Sequence, residues 1–194
     1  MKTLIILAHP NIENSLVNRR WRDAVLAHPD KFELHDLYAL YADFKIDVEK
    51  EQKLLESHDK IVLQFPFRFS NCTPLLKQWF EDVFTRGWAY GAESGGKLKG
   101  KKFALAISLG ATEANYSKNG IVGFSVDEVL APFKATFNFV GATTMPNFVS
   151  YGFTYDKSEQ AVENSAKNYI KYLNQLLILC FSSCPLRVKF QNFA

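Results

Sequence analysis

The sequence predicts an α/β domain: a five-stranded parallel sheet in the order 2-1-3-4-5, with helices on both faces. Three observations predict it. Strand-length apolar runs alternate with amphipathic stretches at helical spacing along residues 1–177. The runs Thr3–Ala8 and Lys60–Phe65 are almost continuously apolar, as strands covered on both faces must be. Strands joined by helical crossovers are parallel, and right-handed crossovers leave few topologies, of which this order is one of the two common ones.

Taken in order, Thr3–Ala8 is the first strand. Ser15–Ala27 is a helix with Val17, Trp21, Ala24 and Val25 on one face, and Asn14 or Ser15 as its N-cap. Phe32–Leu37 is the second strand and Val48–Ser57 a charged helix. Lys60–Phe65 is the third strand. Pro74 opens its helix, which runs to Arg86 and carries Leu75, Leu76, Trp79, Phe80, Val83 and Phe84. Phe103–Leu109 is the fourth strand. Ser125–Phe139 is a helix broken or kinked near Pro132. Thr143–Val149, with Pro146 inside it, is the fifth strand, and Ser158–Leu177 is the closing helix. The tail 178–194 is apolar without a clean period. An extra strand, a packing arm and a segment foreign to the domain all remain open for it.

Composition narrows the function. With 194 residues, one domain is the default. A net charge of +3 without a basic stripe argues against nucleic acid. Leu4–Ala8 is too short for a signal peptide or a membrane span. Cys72, Cys180 and Cys184 form no disulfide framework, which points to a reducing cytoplasm. Cys180 and Cys184 lack a second ligand pair, so no metal site is expected. The segment from Gly91 to Lys97 mimics a phosphate loop, but Leu98 stands where a Mg²⁺-binding hydroxyl belongs. The sequence contains neither GxGxxG, GxSxG nor HExxH.

In the predicted order, strands 1 and 3 straddle the point where the chain changes direction, so the loops after strands 1, 3 and 4 build the site. The first loop, Ala8–Asn18, delivers His9 and a helix start, a natural seat for a phosphate. Its plain alternative is an ordinary capped helix. The second, Pro66-Phe67-Arg68-Phe69-Ser70, offers flat rings and backbone donors to a planar ligand. Its alternative puts both phenylalanines in the core, which the charged Arg68 between them disfavours. The third, Ser108-Leu109-Gly110-Ala111, lets backbone approach a ligand closely, and Tyr116 follows as a cap or a donor. A plain turn and simple packing are the alternatives.

In these loops the chain resembles the flavodoxin-like NAD(P)H:quinone oxidoreductases. It is most similar to a bacterial branch that includes general-stress NAD(P)H oxidoreductases and the ancillary subunit of glutathione-gated potassium efflux systems. The matching pieces are LAHP…NS at 7–15, DLYALYADFKID at 36–47, QFPFRF at 64–69, PLLKQWFEDVF at 74–84, GWAYG at 87–91 and SLGATEANY at 108–116. The resemblance implies an FMN-dependent two-electron reductase, usually a homodimer. It places phosphate and ribityl contacts on His9, Ser15, Leu16, Val17 and Asn18. It places ring contacts on Pro66, Phe67, Arg68, Phe69 and Ser70, and on Ser108, Leu109, Gly110 and Ala111. Tyr116 matches a tyrosine near the flavin, and Tyr90 one near the substrate in the partner subunit.

Three departures stand out. Ser108-Leu109-Gly110-Ala111 replaces Thr-Thr-Gly-Gly, Phe69 replaces a Trp, and Val122 stands where the eukaryotic enzymes carry a His. The expected chemistry is ping-pong reduction of a quinone-like acceptor by NADH or NADPH. The rival reading is an FMN-binding regulatory subunit for a membrane potassium transporter, with secondary redox activity. A phosphoacceptor domain of the same topology would need acidic residues after strand 1, and Ala8-His9-Pro10 supplies none.

Overall fold

A computed structural model describes residues 2–91 and 96–178. The phosphate-loop mimic is therefore described only at its ends. The tail, including Cys180 and Cys184, lies outside the described residues apart from Ile178.

Five parallel strands lie in the order β2-β1-β3-β4-β5, as the alternation predicts. They are β1 (Thr3–Leu7), β2 (Phe32–Asp36), β3 (Lys60–Pro66), β4 (Lys102–Ser108) and β5 (Thr143–Thr144). The predicted fifth strand is split. β5 pairs with Lys102 and Phe103, and a separate β6 (Phe148–Ser150) pairs with Ala106–Ser108 further along β4. Pro146 sits in the gap, where it has no N–H to give to a ladder. The Asn147 side-chain oxygen takes the Leu105 N–H at 3.0 Å, where the ladder is interrupted.

The helices are α1 (Leu16–Leu26), α2 (Leu37–Leu40), α3 (Val48–Glu56), α4 (Pro74–Val83), α5 (Val126–Val129), α6 (Ala131–Phe139) and α7 (Glu159–Ile178). β2 stops one residue short of its predicted end, because Asp36 turns to cap α2 and accepts from the Tyr38 and Ala39 N–H groups. The predicted break near Pro132 is real: α5 ends and α6 begins at Leu130, with Pro132 in the first turn of α6.

Alternate strand residues point to opposite faces. Leu4, Ile6, Ile61, Leu63, Phe65, Phe103 and Leu105 pack under α3–α6, with Trp79, Phe80 and Phe137. Ile5, Val62, Ala104 and Ala106 pack under α1 and α7, with Trp21, Tyr169 and Leu173. The Trp21 indole N–H donates to Ser165 at 3.0 Å and pins those two helices together. Among the described residues no helix is long and apolar enough to cross a membrane.

Candidate functional site

The first predicted loop leads from β1 into α1. Ser15 is the N-cap, and its Oγ accepts from the Asn18 N–H at 3.1 Å. Its own hydroxyl proton has no acceptor among the described residues. The Leu16 and Val17 N–H groups, first and second in the helix, have no intrahelical acceptor. His9 is buried at the base of the loop. Its Nδ1 accepts from the Asn11 N–H at 3.1 Å, which needs that nitrogen's lone pair, so the ring proton sits on Nε2. Burial, followed by the nearby Arg68 charge, lowers the His9 pKa from 6.5 to about 4. At neutral pH His9 is therefore an uncharged N–H donor.

This has a measurable sign. In the ligand-free protein, the unfolded chain takes up the proton first as pH falls, so stability contributed by neutral His9 is whole above 6.5 and lost toward 4. Chemical unfolding should show a loss on the order of 3 kcal/mol across that window. His9→Gln should remove most of this slope. An equally steep slope in the variant would assign it to other groups.

The second loop closes on itself. The Arg68 N–H donates to Asn71 O at 3.1 Å, and the Asn71 N–H to Arg68 O at 3.0 Å. Between them Phe69 and Ser70 have φ of 46° and 57°. Two positive φ values in a two-residue connection are a type I′ turn, which normally takes Asn and Gly. Holding Phe and Ser there costs roughly 1–2 kcal/mol per residue. The strain divides the two phenylalanines: Phe67 is core, while the Phe69 ring stands fully in solvent. The expected pair of rings is thus a single exposed ring. The Phe67 N–H is spent on Ser108 O at 3.0 Å. Among the described residues, the Phe69 and Ser70 N–H groups have no acceptor.

The third loop is laced to the segment after β6. The Leu109 N–H donates to Ser150 O, and the Thr154 N–H to Gly110 O. A Cβ at Gly110 would lie 2.4 Å from Thr154 Oγ1, so any other residue there would force that hydroxyl to move. Leu109 is buried, and the Gly110 and Ala111 N–H groups have no acceptor among the described residues. Beyond them the half-buried Tyr116 ring lies 6.4 Å from that of Tyr151. Burial raises both phenols, Tyr151 to about 12 with help from Glu113 and Asp127, so both remain O–H donors at neutral pH.

A pocket of about 370 Å³ joins the first two loops to the end of β4. Of the predicted residues it is lined by His9, Ser15, Leu16, Val17, Asn18, Pro66, Arg68 and Ser108. Phe67, Phe69, Ser70, Leu109, Gly110, Ala111 and Tyr116 do not line it. Tyr90 is elsewhere, with its ring 5.0 Å from Phe139. The sequence reading missed Phe153 and Lys157, which also line the pocket. Both come from the connection between β6 and α7, and the backbone pairing of 109–111 with 150–154 returns that segment to the site. Neither Arg68 nor Lys157 has a carboxylate partner among the described residues. Two cations, a helix start and two free hydroxyl protons around one hollow suit a phosphorylated ligand. A second cavity, of about 430 Å³ between α6 and the split edge strands, contains none of the predicted residues.

Comparisons with known proteins give the family. The chain is 46% identical over 176 residues to the uncharacterized NAD(P)H oxidoreductase YdeQ of Bacillus subtilis (strain 168), covering 91% of this chain and 88% of that protein. The crystal structure of general stress protein 14 from Treponema denticola, in complex with FMN, is 51% identical, covers 91% of this chain and 99% of its own, and superposes with a TM-score of 0.85. An NADPH-quinone reductase from P. pentosaceus is 28% identical with a TM-score of 0.78, over 89% of this chain and 98% of its own. A family model described as a flavodoxin-like fold, Flavodoxin_2, matches residues 1–173, and the chain belongs to that family.

Proposed function

We propose that this protein binds FMN and, as a homodimer in the cytoplasm, uses NADH or NADPH to reduce quinones or similar flat acceptors by two electrons. The observation that carries the reading is the set of unpaired donors around the pocket. His9, Ser15, Leu16, Val17, Arg68, Ser108 and Lys157 line one hollow, and among the described residues no carboxylate lines it with them. The relatives' names point the same way.

FMN, when bound, supplies the ring that takes up and hands on a hydride. The chain's own part is binding and electrostatics. The cap of α1, with Arg68 and Lys157, would hold the phosphate. The free N–H groups of Phe69, Ser70, Gly110 and Ala111 stand on loops flanking the site, where they would stabilise negative charge on a reduced ring. The exposed Phe69 ring and the Tyr116 and Tyr151 hydroxyls would frame and orient the second reactant, with Tyr116 as donor.

In this reading donor and acceptor take turns at one position beside the bound ring. The protein should therefore take up FMN and give parallel double-reciprocal lines for NAD(P)H at several fixed quinone concentrations. Intersecting lines would mean that both substrates bind together. No flavin absorbance after excess FMN would remove the cofactor reading. FMN uptake without turnover on any quinone would favour the regulatory subunit.

The dimer rests on exposed apolar groups. Phe139 is largely exposed beside Tyr90, and Ile121 and Phe124 are exposed as well. Light scattering at micromolar concentration should give twice the mass of the chain, and a monomer there would exclude the partner-subunit role of Tyr90.

A further inference from the structure

Gln64 is a polar residue in the central strand β3, between the apolar Ile61–Leu63 and Phe65, and it is fully buried. Its cross-strand neighbours are Leu7 and Ala106. The small Ala106 leaves room for an amide at a position where an aliphatic side chain would ordinarily sit. A buried amide without hydrogen bonds is costly, so its contacts should explain it.

Gln64 Nε2 donates to the Asn18 backbone oxygen at 3.1 Å and lies 3.5 Å from Asn18 Oδ1. A backbone oxygen can only accept, so the amine and not the oxygen of Gln64 must be on that side. The amine in turn orients Asn18. Turning the Asn18 amide over would set one NH₂ against another. Asn18 therefore keeps Oδ1 toward Gln64 and Nδ2 toward Ser108, to whose Oγ it donates at 2.8 Å. With its oxygen accepting from Asn18, Ser108 keeps its own proton for the pocket that it lines. The backbone N–H of Asn18, a separate donor, is the one that Ser15 Oγ caps. One buried amide thus sets the direction of a chain of hydrogen bonds that ends at the pocket wall.

We propose that Gln64 is a positioning residue of the flavin pocket: through Asn18 it makes the Ser108 hydroxyl a donor to the ring or ribityl chain of the ligand. The inference rests on the FMN reading above. Without the Gln64 amine, Asn18 is free to turn its oxygen to Ser108, the Ser108 proton is drawn back into the protein, and the pocket loses a donor.

The test is a set of titrations with FMN and with riboflavin, which shares the ring and ribityl chain but lacks the phosphate. Gln64→Met keeps the volume and removes the amine together with the unpartnered buried Oε1. It should weaken both ligands by about tenfold, while the melting temperature of the ligand-free protein stays close to wild type. Ser108→Ala should show the same loss, and the double variant should be no worse than Ser108→Ala alone, because the two residues act in series. A merely structural Gln64 would instead lower stability and leave the double variant additive. Gln64→Leu is the second variant if Gln64→Met does not fold, and failure of both to fold would overturn the proposal by making Gln64 a core residue only. Unchanged affinities in Gln64→Met, beside a wild type that binds FMN, would also overturn it. A wild type that binds neither ligand would overturn the FMN reading itself, and this inference with it.

Discussion

Glu51→Ala should cost about 3–5 kcal/mol of folding stability, the penalty for removing one partner of a buried charged network. Glu51, on α3, is fully buried. Its two oxygens meet His35 Nε2 at 2.8 and 3.0 Å, and they accept from the Tyr41 hydroxyl at 2.6 Å and the Trp79 indole N–H at 2.8 Å. These partners belong to β2, the end of α2 and α4, so one carboxylate ties three elements to a fourth. Burial pushes the Glu51 carboxyl up, but the hydrogen bonds from His35 and Tyr41, the His35 charge and the Trp79 N–H outweigh it and hold the group below the ordinary carboxylate range. Alanine leaves these donors facing a cavity. Domains are stable by only about 5–15 kcal/mol, so the variant should be marginal, with a melting temperature lower by roughly 10 °C. Glu51→Gln keeps the size and should fall between the two. The sign with pH is fixed as well. A carboxyl lowered by folding contributes its stability above its unfolded value and loses it as pH falls through its folded one. The difference between wild type and Glu51→Ala should therefore shrink in acid, below the ordinary carboxylate range. A difference that stayed constant down to the acid transition would mean that Glu51 is not ionised in the native state.

That network marks where sequence reading stops. VEKEQKLLE reads as a charged surface helix, and although Glu51 shares the face of Val48, Leu54 and Leu55, a carboxylate on that face does not announce its own burial. What buries it is the meeting of His35, Tyr41 and Trp79, each far along the chain and none informative alone. The sheet is different: its strand order follows from uninterrupted apolar runs and the handedness of crossovers, both of which are written locally. The helix start is also legible to within one residue, Asn14 or Ser15, because an N-cap is a local event; the structure settles it on Ser15. The fates of Phe67 and Phe69 are not legible. They are decided by two positive φ values, and Phe-Ser is not a pair that advertises such a turn. Lys157 was hidden by topology. It follows the last strand, which the predicted order sets far from β1, and only the lacing of residues 109–111 to 150–154 carries it back to the head of α1.

At that head, Ser15→Ala should weaken FMN ten- to hundredfold and leave riboflavin nearly untouched. The Ser15 oxygen is already engaged, accepting from the Asn18 N–H, so the hydroxyl has only its proton left to offer the pocket. A hydrogen bond to a charged group contributes about 1.5–3 kcal/mol, which corresponds to one to two powers of ten in a dissociation constant. Losing the cap costs the helix about 1 kcal/mol in addition, with or without ligand. That part appears in the melting temperature and not in the contrast between the two flavins. The contrast isolates the phosphate, because riboflavin keeps every other group of FMN. It also separates Ser15 from Gln64, whose loss should weaken both ligands alike. An equal loss of FMN and riboflavin in Ser15→Ala would mean that the cap acts by ordering Asn18 and Ser108, and that the phosphate is held by Arg68, Lys157 and the open N–H groups of α1 without it.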